Sequence, residues 1–179
     1  MSQVDELLER NARFAKTHGD PAPALPRLRT LVITCADQRV DPAQVLGLEL
    51  GDALVIRNGG GRVTPAVLQN LAMLAAVGRI EKEPEGGFEI VLMQHTDCGV
   101  ARLQGPEYEE LLGAYFGIPP AELPSKSIAD PRGGIRADIQ ILASNPLVPG
   151  SLSVTGLVYD VQTGRAELVE RRSPLRESD

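Results

Sequence analysis

Two cysteines and two histidines are all that the 179 residues contain, and three of the four fall into one pattern. Cys35 opens the run Cys35-Ala36-Asp37-Gln38-Arg39, and after a long gap comes His95-Thr96-Asp97-Cys98. His95 and Cys98 are close enough to turn toward one point at the start of a helical turn. Cys35 can join them if the strands that carry Cys35 and His95 are neighbours. Thiolate plus imidazole is a favoured zinc ligand set, and three protein ligands leave a fourth tetrahedral position open, the catalytic rather than the structural arrangement. Plainer readings compete. A cysteine at a strand end is often a small buried hydrophobe. A Cys35–Cys98 disulfide runs against a reducing compartment. A thioredoxin-type site needs C-x-x-C spacing, which is absent. A Cys–His nucleophilic dyad leaves the second cysteine and the Asp37–Arg39 pair unexplained. That pair, taken alone, reads as an ordinary surface ion pair worth little. His18, before the Gly19-Asp20-Pro21 turn, has no chemical company and is given no role.

The run Asn58-Gly59-Gly60-Gly61 lies between a strand and a helix, as a dinucleotide loop would. The third glycine of G-x-G-x-x-G is missing, its place being taken by Thr64, and no G-K-[ST] is present. The glycines fit instead a close backbone approach to something bulky, such as a metal pocket.

Elements that could position these residues follow from periodicity. Val4, Leu7, Leu8, Phe14 and Ala15 predict an amphipathic helix over 3–16, followed by a connector with Pro21, Pro23 and Pro26. Leu31–Thr34, Ala53–Arg57 and Phe88–Gln94 read as buried strands. Ser151–Tyr159 reads as a fourth strand, in a hairpin with Ala166–Val169. Asp41-Pro42, Thr64-Pro65 and Asp130-Pro131 each have the form of a helix cap followed by proline in the first turn. The second of these starts a long helix to about Arg79, and the third a helix with Ile135, Ile139 and Leu142 as its stripe. Glu81–Gly87 is expected as a charged loop. Residues 105–130 are expected to hold a short helix around Tyr108–Tyr115 and then an irregular segment. Tyr108, Tyr115 and Phe116 either line a pocket or pack. The Arg171–Asp179 tail is expected to be mobile.

The alternation predicts one α/β domain over 1–179: a mainly parallel sheet of four strands plus an antiparallel edge strand, with helices on its faces. In such sheets function gathers at the C-terminal strand ends, where Cys35, Arg57-Asn58 and His95 fall. A net charge of −6 and 3% aromatics with no Trp argue against a nucleic-acid surface. No apolar run has the ~20 residues of a membrane helix. The acidic start Met1-Ser2-Gln3-Val4-Asp5-Glu6 has no apolar signal core, so a cytoplasmic protein is expected.

At these residues the sequence resembles the β-class carbonic anhydrases, in their compact prokaryotic branch. Cys35–Arg39 matches the family's C-x-D-x-R, and His95-Thr96-Asp97-Cys98-Gly99 its H-x-x-C-G. Arg57-Asn58 matches its post-strand loop. Ile135–Asp138 and Ser153–Asp160 look like its later helix and terminal strands. The similarity runs from about Arg29 to Val169. It implies one Zn2+ per subunit held by Cys35, His95 and Cys98. It implies Asp37 and Arg39 as a catalytic dyad, and a homodimer or dimer of dimers whose N-terminal helix wraps the partner. The activity implied is reversible hydration of CO2 to bicarbonate and a proton. Some members have an allosteric bicarbonate site that uses a Trp just before the first zinc Cys. The corresponding residue here is Val32, so the subtype without that site is expected.

The chemistry of the implied site assigns further roles. Asp37 accepts a hydrogen bond from the nucleophile and orients it, while Arg39 holds Asp37 and keeps it off the metal. The Gly99 N–H donates to a substrate oxygen. Two thiolates cancel the charge of zinc, so activity should rise into the alkaline range. Close relatives in this branch hydrolyse carbonyl sulfide or carbon disulfide at the same kind of site. A non-catalytic zinc protein closed by Asp37 is a further alternative.

Overall fold

The computed structural model describes residues 2–22, 24–81 and 87–176. Five strands form one sheet in the order β2-β1-β3-β4-β5. They are β1 (Thr30–Cys35), β2 (Ala53–Asn58), β3 (Glu89–His95), β4 (Ser153–Asp160) and β5 (Arg165–Pro174). The first four pair in parallel and β5 runs antiparallel to β4, in the expected architecture. Strands β1 and β3 are direct neighbours, so Cys35 and His95 leave the sheet side by side at its C-terminal edge.

The three cap-plus-proline signals all start helices. Asp41 caps α2 (Pro42–Val45), Thr64 caps α3 (Pro65–Ile80) and Asp130 caps α5 (Pro131–Ser144), each with its side chain on a first-turn N–H. Leu31 and Ile33 of β1 pack in one cluster with Ile90 and Leu92 of β3, Val67 and Leu71 of α3, and Leu142 of α5. Full burial of each such side chain is worth roughly 1.5–3 kcal/mol, enough to fix both strands rigidly under the site. A second cluster gathers Leu112 and Phe116 of α4 (Glu109–Phe116) with Leu123 and, at its margin, Val100 and Tyr115.

Three expectations need correction. Strand β2 is not buried: it is the sheet's edge, and Val55 is 44% exposed. An apolar run alone does not distinguish an edge strand from a central one. The irregular segment after α4 contains a 3-10 run over Pro120–Lys126. Of the tail expected over 171–179, residues 171–176 are not free, because β5 continues to Pro174 and Leu175 is buried, while residues 177–179 lie outside the described residues. Of the charges that suggested a tail, Arg171 and Arg172 lie on β5, an exposed edge strand, and Arg172 lies 3.7 Å from the Glu89 carboxylate of β3; on the same strand Glu167 and Glu170 pair with Arg132 and Arg136 of α5. Arg176 then donates to the Ala143 and Asn145 carbonyls at the end of α5. The expected loop at 81–87 falls largely outside the described residues.

Helix α1 (Gln3–Ala15) forms where expected, closed by a capping box between Ser2 and Asp5. It buries no residue, and Val4, Leu7, Leu8 and Phe14 are exposed. His18 stands against the Phe14 ring at 5.2 Å and takes no part in the site.

Candidate metal centre

Cys35, His95 and Cys98 converge. One ring nitrogen and the two sulfurs all lie within 4.8 Å of one another. The sulfurs are 3.9 Å apart and both thiols are free. His95 Nδ1 is 2.8 Å from the Thr96 carbonyl. A carbonyl only accepts, so Nδ1 carries the proton and Nε2 offers a lone pair. That Nε2 is buried with no hydrogen-bond partner among the described residues. An orphaned buried acceptor is costly unless something occupies it. Two soft sulfurs and one imidazole fit zinc, which would satisfy Nε2 and hold both thiolates.

Local backbone explains the convergence. Asp97, between His95 and Cys98, adopts φ 54°, the left-handed region that Asp tolerates better than most residues. This turns the chain sharply, so that Cys98 comes back toward His95 and starts the 3-10 turn Gly99–Arg102. The glycine run is the third wall. The Gly60 N–H donates to Cys35 Sγ at 3.3 Å, and the Asp37 N–H to the same sulfur at 3.5 Å. Gly61 has φ 65°, and a Cβ there would lie 2.8 Å from the Cys35 nitrogen, so only glycine fits. The run is therefore a close-packed cradle for the Cys35 sulfur.

Electrostatics follows the same contacts. The Cys98 thiol, with the Asp37 and Gly60 N–H groups, holds the Cys35 thiol well below its usual range, against the cost of burial. Contact with Cys35 and burial push Cys98 the other way. A divalent cation between them would favour both thiolates.

Asp37 and Arg39 form a bidentate pair. Arg39 Nε lies 3.0 Å from Asp37 Oδ1, and Nη2 lies 2.7 Å from Oδ2. The guanidinium holds the Asp37 carboxyl well below the usual carboxylate range. Asp37 lies outside the three-ligand group. Arg39 also donates to the Asp97 carboxylate at 2.9 Å and to the Asp97 carbonyl at 3.0 Å. Arg57, at the end of β2, donates to the Cys35 and Asp37 carbonyls and to the Asp41 carboxylate, which fixes the turn after β1. Gly99 starts its turn beside Cys98, and apart from its chain neighbours nothing lies within 4 Å of where a Cβ would stand. A cavity of about 440 Å³ reaches the centre, lined among others by His95, Cys98, Gly60, Arg62, Val100 and Ile128.

Two supports escaped the sequence reading. Arg62 and Asp138 form a buried ion pair, Nε to Oδ2 at 2.8 Å, and Gln94 donates to the same carboxylate. Asn58 clasps the N–H and carbonyl of Arg62, closing the glycine run. Asp138 closes the family-like run Ile135–Asp138 and lies within the apolar stripe of Ile135, Ile139 and Leu142, and neither signal names its partner. Tyr115, left open between lining and packing, donates to the Gly59 carbonyl at 2.8 Å. Burial pushes its phenol up to about 12, so it remains a donor.

A model of the carbonic anhydrase family matches residues 30–113. β-Carbonic anhydrase 1 of Mycobacterium bovis, and that of Mycobacterium tuberculosis, are 32% identical over 92% of this chain and 96% of their own length. The chain belongs to the β-carbonic anhydrase family. A carbonic anhydrase from Streptococcus mutans, solved by crystallography, superposes with a TM-score of 0.73 at 33% identity, covering 95% of this chain and 99% of that one. A carbon disulfide hydrolase of an Acidianus species is 31% identical over 79% of this chain and 78% of its own. Among the described residues of this β-carbonic anhydrase, no helix is long and apolar enough to cross a membrane.

Proposed function

We propose that this β-carbonic anhydrase hydrates CO2 reversibly to bicarbonate and a proton, with one zinc ion per chain held by Cys35, His95 and Cys98. The observation that carries this reading is the buried His95 Nε2, without a partner among the described residues, beside two free thiols, with His95 and Cys98 on the wall of a cavity. Bound there, zinc would supply a nucleophile by lowering the pKa of water, less strongly than at an all-imidazole site because two thiolates cancel its charge.

The chain's own residues supply the rest. The Asp37 carboxylate, kept ionised by Arg39, accepts a hydrogen bond from the attacking water and aims its lone pair. Arg39 occupies both Asp37 oxygens and so keeps a competing carboxylate off the metal. The Gly99 N–H donates to an oxygen of the substrate. Val100 and Ile128 give the cavity apolar wall, which suits a small neutral molecule with no charge to grip. A site that needs both thiols reduced suits the cytoplasm. The exposed apolar side of α1 suits a second copy of the chain, in a homodimer.

The second reading keeps the site and changes the substrate. It is favoured by the likeness to the Acidianus carbon disulfide hydrolase. Stopped-flow hydration of CO2, run beside hydrolysis of carbon disulfide and carbonyl sulfide by the same zinc-loaded protein, separates the two. The proposal expects fast CO2 turnover that climbs from pH 7 to 9. Turnover of only the sulfur compounds would transfer the site to the second reading.

A further inference from the structure

Arg39 is strung between the two ligand segments. Its Nε and Nη2 hold Asp37, two residues after Cys35. Its Nη1 and Nη2 hold the carboxylate and carbonyl of Asp97, between His95 and Cys98. The second Asp97 oxygen is taken by Arg102. The Arg39 side chain is 40% exposed, so little packing fixes it. A long side chain in that position keeps several rotamers unless polar partners select one. Asp37 alone cannot do so, because an adjacent pair can move together. Asp97 belongs to a different segment, anchored by strand β3, and provides the outside reference.

We propose that Asp97 is a positioning residue: its carboxylate fixes the Arg39 guanidinium and thereby keeps the Asp37 carboxylate out of the metal group. The role rests on the reading of that group as a zinc site open to substrate. Without the carboxylate anchor the Arg39 guanidinium is released, the Asp37 carboxylate keeps only the Arg39 backbone N–H at 2.9 Å, and its other oxygen becomes a donor beside an open zinc position, which carboxylates occupy readily. The left-handed backbone at Asp97 is a separate contribution to the ligand turn, and two substitutions separate it from the carboxylate. Asp97→Gly keeps the backbone conformation and the carbonyl acceptor and removes only the carboxylate. Asp97→Asn tolerates the same backbone and keeps one acceptor oxygen for Arg39.

The test is a pair of crystal structures of the zinc-loaded variants, with zinc content and CO2 hydration measured on the same preparations. In Asp97→Gly, Arg39 leaves its place and Asp37 moves onto the metal. Zinc stays at one per chain, and hydration falls about tenfold, the scale of one charge-assisted hydrogen bond. Asp97→Asn keeps Arg39 in place and stays within about twofold of the parent. Arg39 in its original position in Asp97→Gly overturns the proposal whatever the rate does, and so does an Asp97→Asn protein as impaired as Asp97→Gly. If the parent protein itself fails to hydrate CO2, the functional reading falls, and the position of Arg39 in the variants still decides the positioning role.

Discussion

The buried pair of Arg62 and Asp138 makes the sharpest prediction about how the centre is supported. The Arg62 side chain is 3% exposed and that of Asp138 is fully buried. The guanidinium also donates to the Lys126 carbonyl at 2.7 Å and lies over the Phe116 ring at 5.1 Å. Asp138→Asn changes almost no volume but leaves the Arg62 cation buried without its counter-charge. Breaking such a pair costs about 3–5 kcal/mol, against at most about 1 kcal/mol for an exposed pair. For a chain of this length each kcal/mol moves the thermal midpoint by about 2–4 °C, so the expected drop is roughly 6–20 °C. The assay is thermal and urea unfolding of the zinc-loaded protein followed by circular dichroism. A double variant, Arg62→Met with Asp138→Leu, should recover much of the loss, because no uncompensated charge remains. The reasoning fails if Asp138→Asn costs less than about 1 kcal/mol, or if the double variant is as unstable as the single one. Because Arg62 closes the glycine run that cradles Cys35, Asp138→Asn should also give up zinc faster to a chelator.

Four other outcomes follow from the same geometry. Arg39→Ala removes the guanidinium contacts of Asp37, leaving only the backbone N–H, and should lower CO2 hydration by about a hundredfold with zinc retained; a crystal structure with Asp37 still off the metal would contradict it. Gly61→Ala forces a side chain into a left-handed backbone 2.8 Å from the Cys35 nitrogen and should cost at least about 2 kcal/mol, read by urea unfolding. Asp37 and Asp97 are depressed by their arginine partners below the ordinary carboxylate value of 3.8. Their contribution to stability is therefore complete above that value and is lost as the pH falls below it, so metal-free protein should have a lower urea midpoint at pH 3 than at pH 6. Leu7→Glu with Leu8→Glu on the exposed side of α1 should shift sedimentation from dimer to monomer; a monomeric parent would remove the reason for that apolar side.

The legible part of this protein is what short-range chemistry encodes. Strands β1, β3 and β4 could be read because their buried runs are apolar and β-branched. Helices α2, α3 and α5 could be read because each carries its cap and proline in two adjacent residues. The convergence of Cys35, His95 and Cys98 could be read because cysteine and histidine are so scarce that their spacing has little competition. What was missed depends on partners far along the chain. Asp138 meets Arg62 across 76 residues, and no local pattern marks an acid in an apolar stripe as paired rather than solvated. The exposure of β2 and the persistence of β5 depend on strand order, which periodicity does not contain. Asp97 was part of a legible motif, yet its contact with Arg39 required both ligand segments to be folded together.

The central claim is that Cys35, His95 and Cys98 hold one zinc with a position left open. Zinc-edge X-ray absorption on protein with its metal content counted tests it most directly. The account predicts one zinc per chain with two sulfur donors near ~2.3 Å and two lighter donors near ~2.0 Å, one of them exchangeable. Protein that retains no zinc, or zinc with no sulfur donors, would contradict it.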